Sequence, residues 1–85
     1  MIRVLLVDDQ ALLRTGFRLV LEAAPDIEVV GEASDGITAE SMARALQPDV
    51  VLMDIRMPHR NGIEATEAIT TALPDVRVLI PTTFA

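Results

Sequence analysis

The chain is 85 residues long, enough for one small domain at most. Hydrophobic residues make up 51% of it, too many for a disordered segment, and aromatics only 2%, so the core must be built from Val, Leu, Ile and Ala. Thirteen acidic residues against seven basic ones give a net charge of -6, a surface that repels phosphate backbones and makes this segment alone a poor nucleic-acid binder.

There is no cysteine, which excludes disulfides and thiolate metal sites. All seven basic residues are arginines, at positions 3, 14, 18, 44, 56, 60 and 77, and lysine is absent. No apolar run reaches membrane-spanning length, and Met1 leads directly into a strand-like run rather than a basic leader. The sequence therefore reads as soluble and cytoplasmic, with no membrane partner.

In chain order, "IRVLLV" (2 to 7) is a nearly continuous apolar run, as expected of a strand covered on both faces, and it ends on Asp8-Asp9. Leu13, Phe17, Val20, Leu21 and Ala24 then fall at helical spacing until Pro25 stops the pattern. "IEVVGEA" (27 to 33) carries Glu28 and Glu32, which suits an edge strand. A second helix follows Asp35-Gly36, with Ala39, Met42, Ala43 and Leu46 on one face and Pro48 beyond it. "VVLM" (50 to 53) is a third strand, running into Asp54 and a Met57-Pro58 turn. The third helix is entered through Asn61-Gly62, shares Ala65, Ile69, Ala72 and Leu73 on a face, and ends at Pro74. "VRVLI" (76 to 80) is a fourth strand, followed by Pro81 and Thr82.

Strand and helix alternate with short turns, so the expected fold class is α/β, a doubly wound parallel sheet with right-handed crossovers. No linker, repeat or low-complexity tract interrupts it. Doubly wound sheets normally continue past this point with a helix and another strand, so one face of the sheet is expected to be under-covered.

In open α/β sheets ligands sit beyond the carboxyl ends of the strands, where the winding direction reverses. The first strand ends on Asp8-Asp9 and the third on Asp54. If these strands are neighbours, three carboxylates converge and raise one another's pKa values unless a cation compensates them. Carboxylates, a backbone carbonyl and waters suit magnesium, which commonly completes its shell with a phosphate oxygen. Thr82, past the fourth strand, offers a hydroxyl to such a phosphate. The grouping points to phosphoryl transfer with an aspartate nucleophile.

Asp8-Asp9, "MDIRMP" (53 to 58) and "TTF" (82 to 84) resemble the receiver domain of a bacterial two-component response regulator. The wording "DIRMP…NGIEAT" resembles the NarL/LuxR-type transcription factors in particular. The resemblance covers all 85 residues but only about the first two-thirds of a receiver. It implies a flavodoxin-like fold, incomplete after the fourth strand, with strand order 2-1-3-4. It also implies that Asp54 is the phosphoacceptor and that Asp8, Asp9 and Asp54 hold magnesium together with the Arg56 backbone carbonyl. Thr82 is then the switch hydroxyl, Pro58 shapes the turn after the site, and Asn61-Gly62 lets the chain reverse into the third helix. The implied partners are a sensor histidine kinase as phosphoryl donor and DNA only through a helix-turn-helix module absent from these residues. The implied organisation is a partial receiver domain over 1–85.

Several features depart from that family. The lysine at the end of its fifth strand, the aromatic switch residue of that strand and its last two helices have no counterpart here. Pro81 stands where an apolar residue with an N–H is usual. With the fourth strand left as an edge and apolar cover missing, self-association into a dimer or higher oligomer is expected.

Plainer readings stand beside these. Asp9 reads equally as an N-cap of the first helix, Asp54 as the start of a turn, and Thr82 and Thr83 as ordinary strand-end residues. Arg56, His59 and Arg60 read as solvated loop side chains, and Met42, Met53 and Met57 as packing. Two other functions compete with signalling. One is a magnesium-dependent phosphatase of the haloacid-dehalogenase type, which needs a second Asp two residues after the nucleophile, where Arg56 stands. The other is a non-signalling, self-associating fragment. A nucleotide-binding fold is rejected because "VDDQALL" has no glycine-rich turn for a diphosphate.

Overall fold

The computed structural model describes residues 1–54 and 62–80. Seven elements follow one another: β1 (Ile2–Val7), α1 (Ala11–Glu22), β2 (Ile27–Ala33), α2 (Gly36–Leu46), β3 (Val50–Met53), α3 (Gly62–Ala72) and β4 (Arg77–Leu79). The strands form one parallel sheet in the order β2-β1-β3-β4, as expected. The first crossover runs outward to one edge and the next two to the other. Right-handed winding therefore puts α1 on one face of the sheet and α2 and α3 on the other.

The fourth strand is shorter than the expected 76–80. Its pairing with β3 runs from Val50–Arg77 to Leu52–Leu79. The Val76 N–H is used in a turn to the Leu73 carbonyl, so Val76 lies buried ahead of the strand rather than in its ladder.

The α2/α3 face holds the core. Leu5 and Val7 of β1 and Val51 and Met53 of β3 pack with Ala39 and Ala43 of α2 and with Ala65 and Ile69 of α3. Alanines at the contact points let both helices lie close on the sheet. A bulge helps α2 settle, because β1–β2 pairing jumps from Val4–Val29 to Leu5–Gly31. A Cβ on Gly31 would stand 2.7 Å from Met42 Cε and 3.0 Å from Leu46 Cδ1, so the ends of those α2 side chains would have to shift to admit it.

Both ends of α2 are satisfied. Asp35 is the N-cap, its carboxylate accepting from the Thr38 N–H at 2.7 Å. At the other end Gln47 takes the left-handed conformation, φ 47°, and its N–H returns to the Ala43 carbonyl. The Arg3 guanidinium donates to the Leu46 and Gln47 carbonyls at 2.9 and 3.1 Å, placing a cation on the negative end of the helix.

The α1 face differs. Val4 and Leu6 are buried beneath it, yet no residue of α1 itself is buried. Its apolar stripe is only partly covered: Leu13 is 46% and Val20 72% exposed, and Leu79 of β4 is 54% exposed. The under-covered face expected from the sequence is this one. The N-cap of α1 is Gln10, which makes no side-chain cap bond, so the capping role considered for Asp9 is not the one it plays. No helix among the described residues is long and apolar enough to cross a membrane.

Candidate functional site

Strands β1 and β3 are parallel neighbours in register, with Val7 beside Met53. The next residue on each is an aspartate, so Asp8 and Asp54 leave the sheet side by side. The backbone carries this register one step beyond the strands: the Asp54 N–H donates to the Val7 carbonyl and the Asp8 N–H to the Ala33 carbonyl, both at 3.0 Å. Asp9 follows on the turn into α1. One carboxylate oxygen from each of Asp8, Asp9 and Asp54 lies within 4.8 Å of the other two. Asp8 is buried, Asp54 half-buried and Asp9 exposed.

Three anions at that spacing repel, and the effect shows on the innermost. Burial pushes the Asp8 carboxyl above its ordinary 3.8, and the neighbouring Asp54 and Asp9 charges push the same way. The Gln10 N–H, donating to Asp8 Oδ1 at 2.8 Å, and the nearby Arg14 oppose the rise. A hard divalent cation relieves such a cluster, and a donor set of three carboxylate oxygens fits magnesium.

The main-chain side of Asp8 is held by a cation that sequence reasoning missed. Arg14 of α1 donates through Nη1 to the Asp8 carbonyl at 2.5 Å and through Nε to Glu32 Oε1 at 2.9 Å. Arg18, one turn on, also pairs with Glu32 and, at 2.5 Å, with Glu22. These partners hold the Glu32 carboxyl below its ordinary 4.5, with the Arg18 hydrogen bond the largest influence. The available signal was the i, i+4 spacing of Arg14 and Arg18 opposite an acid near the end of the adjacent strand.

Two expected site residues, Arg56 and Thr82, lie outside the described residues. So do Met57, Pro58, His59, Arg60, Asn61, Pro81 and Thr83.

With this geometry in place, comparison with known proteins gives a consistent answer. The family described as "Response regulator receiver domain" matches residues 4–85. The transcriptional regulatory protein LiaR of Bacillus subtilis is 51% identical over 84 residues, covering 99% of this chain and 40% of LiaR. Among solved structures, a LuxR-family two-component response regulator from Aurantimonas sp. SI85-9A1 superposes with a TM-score of 0.90 at 40% identity, over 94% of this chain and 57% of that one. A CheX-CheY-BeF3-Mg+2 complex from Borrelia burgdorferi matches with a TM-score of 0.88 at 25% identity, over 93% of this chain and 60% of that one.

A parallel 2-1-3-4 sheet with acids at the ends of its two central strands defines a receiver-type signalling domain of flavodoxin-like fold. The chain belongs to the response regulator receiver domain family, and its relatives include LuxR-type transcriptional regulators. Receiver domains of such regulators are signalling domains rather than catalysts, and they generally bind magnesium at an acidic pocket. The chain spans about two-fifths of the length of the curated relatives it matches.

Proposed function

We propose that this chain is the phosphoacceptor module of a two-component transcriptional regulator, with Asp54 receiving the phosphoryl group. The observation that carries the reading is the convergence of Asp8, Asp9 and Asp54 at the carboxyl ends of adjacent strands. Asp8, Asp9 and Asp54 would hold magnesium, with the Arg56 backbone carbonyl as a further ligand. Bound there, the ion would neutralise charge on the carboxylates and on the incoming phosphoryl oxygens. Asp54, half-buried and anchored by its N–H to Val7, presents a carboxylate oxygen at a fixed place. That oxygen attacks phosphorus as the P–N bond to a histidine of a sensor kinase breaks. The leaving nitrogen takes up a proton, so the products are an acyl phosphate on Asp54 and a neutral imidazole. Thr82 supplies the hydroxyl that responds to the phosphoryl group.

The family resemblance supports a sensor histidine kinase as donor and a cytoplasmic setting. The exposed stripe of Leu13, Val20 and Leu79 supports self-association. DNA contact belongs to a separate module, because this segment carries a net charge of -6.

The reading is tested with acetyl phosphate as a small donor and intact mass as the readout. Magnesium-dependent labelling is expected, lost in Asp54→Ala. Label that persists in Asp54→Ala would place the chemistry elsewhere. Turnover of a simple phosphate ester above background would instead favour the phosphatase reading.

A further inference from the structure

The turn that carries Asp8 and Asp9 is clamped from behind. Beyond Val7 the β1 backbone leaves the sheet: the Asp8 N–H still bonds to Ala33, but the Asp8 carbonyl accepts from Arg14 Nη1. The same guanidinium donates through Nε to Glu32 on β2, and Glu32 is itself held by Arg18. The Arg14 side chain is only 19% exposed. A guanidinium presents its N–H groups in a rigid planar fork, so a single side chain can bridge a main-chain oxygen on one strand and a carboxylate on the next.

We propose that Arg14 is a positioning residue of the magnesium site, fixing the directions in which Asp8 and Asp9 leave the β1–α1 turn. The inference rests on the reading of Asp8, Asp9 and Asp54 as that site. Three carboxylates with one oxygen each inside 4.8 Å tend to spread apart when nothing restrains the backbone beneath them. Magnesium demands near-ideal octahedral geometry, so carboxylates free to spread bind it more weakly. Arg14 opposes the spreading in two ways. It ties the Asp8 carbonyl to Glu32 of β2, and it places a positive charge beside the cluster on the main-chain side of Asp8. Lysine cannot replace it, because a point charge on a flexible stem meets Glu32 or the Asp8 carbonyl but does not hold both in one plane.

The test is a magnesium titration followed by the amide shifts of Asp8, Asp9 and Asp54, in the parent, Arg14→Gln and Arg14→Lys. Arg44→Gln, which removes an exposed pair with Glu40 on α2, controls for lost charge. Arg14→Gln is expected to weaken magnesium binding by about tenfold, the usual scale for losing a group that orients a metal ligand. Saturating magnesium should restore the parental shifts. Arg14→Lys should also bind more weakly than the parent, and Arg44→Gln should match the parent. Thermal melts run in parallel separate loss of affinity from loss of fold. A parent that responds and an Arg14→Gln that responds with equal affinity would overturn the role of Arg14 alone. Should Arg14→Gln fail to fold, parental affinity in Arg14→Lys overturns it just as well. A parent with no magnesium response at these aspartates would sink the reading of the site and this inference with it.

Discussion

The two faces of the sheet are built on different physics. On one, α2 and α3 press alanines against β1 and β3, and Ile69 is 1% exposed in an aliphatic core. On the other, α1 lies over β1 and β2 with no buried residue of its own and is tied down through Arg14, Arg18 and Glu32. Aliphatic burial is insensitive to salt and pH, whereas partly exposed ion pairs respond to both. The division matters for function because the turn bearing Asp8 and Asp9 joins the two regions. Its β1 side is fixed by the core, and its α1 side by charge.

The largest effect should come from comparing truncations on the two faces. Ile69→Ala removes buried volume from the packed face and should lose about 3 kcal/mol in urea unfolding. Val20→Ala on α1 should change stability by less than about 0.5 kcal/mol, since Val20 is 72% exposed. Equal losses would break the contrast between the faces.

A pH experiment sharpens it. The Glu32 carboxyl is held low by Arg18 and Arg14, so its ion pairs contribute stability that is fully present above 4.5 and lost as pH falls through the folded value. Protection against amide exchange in α1 should therefore fall in acid before protection in α2 does, and Glu32→Gln should show that loss already at neutral pH. Asp8 has the opposite sign. Its carboxyl is pushed above 3.8, chiefly by burial, so its contribution is present below 3.8 and lost as pH rises through the folded value. Asp8→Asn keeps an acceptor for the Gln10 N–H and should raise the melting midpoint at pH 7, with the gain vanishing in acid. An Asp8→Asn gain that persists below 3.8 would point to a cause other than the carboxylate charge.

The smallest effect belongs to the anchoring of α2. Gln47 sits at φ 47°, where a Cβ is unfavourable, and Gly removes that strain at the cost of a more flexible unfolded chain. Gln47→Gly should gain about 0.5 kcal/mol by thermal melt. A loss would mean that the Gln47 side chain contributes to the C-cap beyond its backbone.

Most of this arrangement was legible in the sequence. Continuous apolar runs ending on Asp8 and Asp54, joined by helix-length segments, fix a parallel sheet. That the first and third strands are neighbours was implied by the family resemblance, and the observed strand order agrees with it. What was not legible depends on distances across the fold. The spacing before Leu13 allowed Asp9 as a cap, but the chain enters α1 one residue later, through Gln10. The bulge ahead of Gly31 leaves no pattern in a strand whose residues are all compatible with pairing. Arg14 drew no role of its own among the seven arginines, because its partner on Asp8 is a main-chain oxygen, which no side-chain pattern announces. The roles of Arg56 and Thr82 remain proposals carried by the family resemblance.

The central claim, that Asp54 takes a phosphoryl group beside magnesium held by Asp8 and Asp9, is tested most directly with beryllium fluoride. This reagent occupies a carboxylate oxygen as a phosphoryl group does, and a related receiver structure is named as a complex with BeF3 and Mg+2. Fluorine NMR of the chain with beryllium fluoride should show bound resonances that require magnesium and disappear in Asp54→Ala. No bound resonance in the parent with magnesium, or an unchanged one in Asp54→Ala, would contradict the account.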